Sequence, residues 1–133
     1  MNNLTEQNSL EKQMSPKQQE RFFKIGFLLF FATAFSFATS LLSFFVHSWI
    51  ILGYAPNYDH PDPKELPIYT IYSPIIELTG NVWIFSFPVL LIFAMFYSGK
   101  RTININWKWI ASAFFMHLIS FVVFCFLFEW YLD

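Results

Sequence analysis

The chain has 133 residues, 56% of them hydrophobic, only 13% charged and 19 of them Phe, with a net charge of −1. In a water-soluble domain about 25% of all residues are charged, so composition points to a membrane protein, and the absence of a basic run speaks against a nucleic-acid partner. Cys125 is the single cysteine, which excludes an intramolecular disulfide and any Cys-rich zinc or iron–sulfur site, and no cofactor is expected.

Residues 1–14 are rich in Asn, Gln and Glu and read as a disordered cytoplasmic tail. Ser15-Pro16-Lys17-Gln18 is a helix start, with Ser15 as N-cap, Pro16 at the first helical position and Gln18 closing a capping box. Nothing breaks that helix before Gly53 and Pro56, so it is expected over 16–52. Arg21 and Lys24 mark one membrane boundary, and 25–47 exceeds the ~20 residues a bilayer core requires. Ala32-Thr33-Ala34 imitates a signal-cleavage site. The apolar run continues through it and outlasts the ~7–15 residues of a signal core, so it reads as an uncleaved anchor.

Pro56, Pro61, Pro63 and Pro67, with Asp59, Asp62, Lys64 and Glu65, predict an outside loop over 53–73. Tyr54, Tyr58, Tyr69 and Tyr72 suit it to lipid headgroups. Ser73-Pro74 repeats the N-cap-plus-proline signal and predicts a second helix over 74–98, with a start near Asn81 as the alternative. Pro88 removes the bond to the Ile84 carbonyl and predicts a static bend there, a hinge being the bolder reading. After a basic turn at 99–106 with Asn106 as N-cap, a third helix is expected over 107–131. The fold class is thus an all-α integral membrane protein, with residues 15–133 forming a single three-helix domain.

Lys12, Lys17, Arg21 and Lys24 precede the first helix, and Lys100, Arg101 and Lys108 lie between the second and third. Against these seven, the long loop holds Lys64 alone, which predicts the N-terminus inside and the C-terminus outside. Trp107 and Trp109 fall near the inner boundary; Trp49, Trp83 and Trp130 fall towards the outer one. Size, and a sole Asn-x-Thr sequon at Asn3 on the cytoplasmic side, give a bacterial cytoplasmic membrane as the expected location.

Thr33, Ser36, Ser40, Ser43 and His47 follow one another at three, four, three and four residues, on one helical stripe that Gly26 extends inward. Such a stripe is a packing seam for helices or, alternatively, the lining of an ion or proton path. His117 lies roughly 13–14 Å past Lys108 by helical rise, level with Thr33, which predicts a hydrogen bond to Thr33 or nearby Ser36. Ser120 shares its face. An ionisable group at that depth is a functional candidate, although one hydrogen bond satisfies a neutral imidazole. His47 and His117 differ in depth by roughly 20 Å, too far to share a haem.

His47, Glu77 and Glu129 reach a common level at the outer interface, where they could bind a divalent cation with help from Asp59, His60 and Asp62. Charged residues also gather at that interface merely because it tolerates them.

No phosphate-binding glycine loop, His-Glu-x-x-His or Gly-x-Ser-x-Gly motif is present. The leading expectation is therefore a small non-enzymatic accessory or interaction subunit, bound to a membrane-protein partner or to itself within the lipid bilayer. An oligomeric ion or proton channel component using His117 and the stripe is the first alternative. An outer-face metal protein or enzyme using His47, Glu77 and Glu129 is the second.

Overall fold

The computed structural model describes residues 15–57, 61–98 and 107–132, with the side chains at 16, 97, 98, 129 and 132 outside that description. Within them three helices form: α1 (Pro16–Leu52), α2 (Tyr69–Ser98) and α3 (Lys108–Leu132), with a 3-10 turn at Pro63–Glu65. Each is long and apolar enough to cross a membrane. The tail at 1–14, the turn at 99–106 with Lys100, Arg101 and Asn106, and Tyr58, Asp59 and His60 lie outside the described residues.

The capping box starts α1 as the sequence predicts. Ser15 Oγ accepts from the Gln18 N–H at 3.4 Å, and Gln18 Oε1 accepts from the Ser15 N–H at 2.9 Å. Gly53 ends it in the left-handed region at φ 77°, its N–H donating to the Trp49 carbonyl at 2.9 Å. At 1.5 Å per residue the 37 residues span about 55 Å, well beyond a ~30 Å bilayer core. The surplus lies at the Lys-rich end, where Lys24 pairs with Glu20 at 2.6 Å.

The second helix departs from expectation. It begins at Tyr69, five residues before Pro74 and twelve before Asn81, so the connecting loop is shorter than 53–73. Burial decides this start. Leu66 and Ile68 are buried, and their carbonyls accept the N–H groups of Tyr69, Ile71 and Tyr72, which would otherwise be orphaned. Pro74 then falls in the second turn, where it forfeits the bond to the Thr70 carbonyl without ending the helix. Asp62 caps the 3-10 turn, its carboxylate accepting from the Lys64 N–H at 2.8 Å. Trp130 Nε1 donates to the Pro61 carbonyl at 3.2 Å and ties this loop to the end of α3. The bounds of α3 differ by one residue from 107–131, within the fraying of helix ends.

The central element is α1, which packs closely on both other helices, while α2 and α3 keep their backbones farther apart and meet through side chains such as Trp83 and Phe124. Along α3 the register is parallel: Ser120 donates to the Ala34 carbonyl at 2.7 Å and Trp130 stacks on Phe44 at 5.2 Å, both pairs 86 positions apart. Buried Ala34, Ala38 and Ala113 let the two backbones approach. Large apolar side chains such as Ile50, Phe85, Met95 and Phe126 are more than 70% exposed. Aqueous solvent would not tolerate such a surface; lipid chains do.

Candidate functional site

Four pairs join α1 to α2. Gly26 faces the ring of Phe93, which occupies the space a Cβ would need. Thr33 Oγ1 donates to Ser86 Oγ at 3.2 Å. Ser40 Oγ and Thr79 Oγ1 are 3.0 Å apart, and His47 Nδ1 and the Tyr72 hydroxyl 3.3 Å. On α1 the residues are 26, 33, 40 and 47; on α2 they are 93, 86, 79 and 72. Every step is seven, and every pair sums to 119, the arithmetic of an antiparallel helix pair in one unbroken register. Seven residues in two turns is the period of helices wound left-handed around each other. The steps continue unchanged past Pro88, which is exposed and lies between the rungs at 86 and 93, so that proline does not interrupt the interface.

The stripe therefore divides. Thr33, Ser40 and His47 turn towards α2, whereas Ser36 and Ser43 are exposed and make no hydrogen bond among the described residues. Thr39, also exposed and without one among them, joins the outward side.

His117 is buried and level with Thr33, yet it does not reach that residue or Ser36 directly. Ser86 stands between them: its Oγ is 3.0 Å from His117 Nε2 and accepts from Thr33 on the other side. Nδ1 of the same ring faces the Ala113 carbonyl at 2.9 Å, so Nδ1 carries the hydrogen. In the neutral ring Nε2 then accepts, so the single hydroxyl hydrogen of Ser86 is shared between Nε2 and the Trp83 carbonyl at 2.8 Å, as that of Thr33 is shared between Ser86 and the Phe30 carbonyl at 2.9 Å. One file of hydrogen bonds thus crosses all three helices at a single depth. Ser120, on the same face, is spent on backbone carbonyls of α1 and α3.

At the loop end, His47 meets Tyr72 and Glu77 is exposed, while the Glu129 side chain lies outside the described residues. Among the described residues no group of three His, Cys, Asp or Glu stands close enough to hold a metal.

Sequence reasoning overlooked Tyr72, Thr79 and Ser86 as a set. Their seven-residue steps mirror those of Thr33, Ser40 and His47, a match written in the spacing of the residues alone. It also overlooked a cleft between α2 and α3. The lower part, about 740 Å³, is lined by Ile84, Phe87, Phe115, Leu118 and Phe121, with Trp83 and His117 at its wall. The upper part, about 170 Å³, is flanked by Glu77, Asn81 and Tyr131. The Trp83 indole N–H and the Tyr131 hydroxyl are both buried and lack a hydrogen-bond partner among the described residues.

No protein-family model, curated protein or solved structure matches this chain.

Proposed function

We propose that the protein is a non-enzymatic interaction subunit of a membrane complex, its N-terminus cytoplasmic and its C-terminus outside, in a bacterial cytoplasmic membrane. The orientation rests on seven Lys and Arg at one end of the helices against Lys64 at the other.

The observation that carries the reading is the outward half of the α1 stripe. Ala32, Ser36, Thr39 and Ser43 are exposed at steps of four, three and four, the spacing of small residues that let a second helix approach closely. Their hydroxyls make no hydrogen bond among the described residues, and hydrocarbon offers none. A shallow groove of about 400 Å³ beside them, between Thr39, Val46, His47 and Tyr72, gives larger side chains of such a helix a seat. By contrast the inward half of the stripe is saturated by α2 and is closed to a partner.

Copurification in mild detergent tests this. The wild type should bring down a partner membrane protein or a second copy, and Ser36→Phe with Ser43→Phe should lose it while the protein keeps its helicity. A strictly monomeric wild type without partners overturns the reading. Tags at residues 1 and 133 should be accessible from opposite faces of the cell; access from one face overturns the orientation.

A further inference from the structure

We infer that the cleft between α2 and α3 holds one lipid of the leaflet at the loop end, an amine-bearing zwitterionic glycerophospholipid, with a chain in the lower part and its head in the upper. This seat lies on different helix faces from the partner seat on α1.

The two parts are continuous, since Trp83 and Ile84 line both. From Phe114 to Tyr131 the cleft spans 17 residues of α3, about 26 Å by helical rise. One leaflet is about half of a ~30 Å core plus roughly 5–7 Å of headgroup, so the cleft matches a leaflet and falls short of a bilayer. The far end is closed, because Leu90 and Phe93 of α2 and Ala113 and Phe114 of α3 join one cluster with Phe23 and Phe27 of α1. The depth is thus that of one lipid in one leaflet.

Chemistry changes along the cleft in the same sense as it changes along a lipid. The lower part is aliphatic and aromatic. Two buried donors, Trp83 Nε1 where the two parts meet and the Tyr131 hydroxyl in the upper part, have no acceptor among the described residues, and buried donors in native proteins find one. Ester and phosphate oxygens are acceptors that a lipid brings to this depth. Glu77, exposed in the same part, adds a carboxylate that favours a primary ammonium and repels an anionic head. A head that carries both acceptors and an ammonium answers all three groups.

Native mass spectrometry of the full chain, titrated with phosphatidylethanolamine or phosphatidylglycerol, tests the inference. The wild type should retain one phosphatidylethanolamine about tenfold more tightly than phosphatidylglycerol, the ratio expected of one charge-assisted contact. Glu77→Gln should bring the two lipids within about threefold while binding persists. Ile84→Trp and, separately, Leu118→Trp fill the cleft from exposed positions and should abolish retention with helicity unchanged. Equal retention of both lipids by the wild type overturns the headgroup assignment. Undiminished retention in both filled variants, or a dimer that both variants dissociate, overturns the lipid seat, the latter assigning the cleft to a second copy.

Discussion

Ser86 on α2 and His117 on α3 are joined at 3.0 Å across the side where those helices otherwise meet through aromatic rings, Trp83 with Phe124 and Phe87 with His117. Because Ser86 also accepts from Thr33, it is the hydroxyl through which all three helices communicate at that depth. Ser86→Ala strands the imidazole nitrogen, while Thr33 keeps the Phe30 carbonyl at 2.9 Å. It should lower stability by about 1 kcal/mol, the cost of leaving one buried polar atom unpaired in a membrane protein. His117→Phe should cost about as much, and the double variant less than the sum, since both remove the same bond. Unfolding in mixed micelles gives these values. Strict additivity would show that the file is not connected.

The Gly26–Phe93 rung predicts a steric effect of a different kind. A methyl at Gly26 overlaps the Phe93 ring, and that ring cannot swing aside freely because Phe22, Phe23, Phe27 and Phe30 surround it at 4.9–5.8 Å. Gly26→Ala should therefore destabilise by about 1–3 kcal/mol despite alanine's higher helix propensity. Phe93→Leu should relieve part of the loss when combined with it. Thermal unfolding in detergent reads both.

Trp130 predicts a local change. Its indole donates to the Pro61 carbonyl while its ring remains stacked on Phe44. Trp130→Phe keeps the stacking and removes the tie. Amide exchange should quicken at least severalfold in the loop around 61–66 and stay unchanged in the middle of α1.

Gly53 is the one described glycine with a left-handed backbone, at φ 77°. Its surroundings are open, so a side chain meets nothing and the cost is conformational alone. Gly53→Ala should destabilise by about 1 kcal/mol and Gly53→Asn by less, again by unfolding in micelles.

The start and stop of α1 were legible because each rests on neighbours in sequence: Ser15 with Gln18, and Gly53 with Trp49. The start of α2 was not. Ser73-Pro74 carries a strong local signal, and what overrode it was burial of Leu66 and Ile68, a tertiary effect. The depth of His117 followed from helical rise, but depth gives no rotation, so Ser86 as its immediate partner stayed hidden. The same gap concealed the split of the α1 stripe. Periodicity placed Thr33, Ser36, Ser40 and Ser43 together, and only the position of α2 decides that the first and third turn inward. Trp83 and Tyr131 carried no signal, since an unpartnered donor is visible only once the neighbours are placed.

The four rungs between α1 and α2 end at Phe93, so none of them needs anything downstream of that residue. A nascent chain emerging from the ribosome could lock this hairpin while α3 is still being synthesised. The last helix would then slide onto a finished template, its alignment set by the Ala34 carbonyl that receives Ser120. Every partner that the first two helices need from each other therefore precedes the third in the chain.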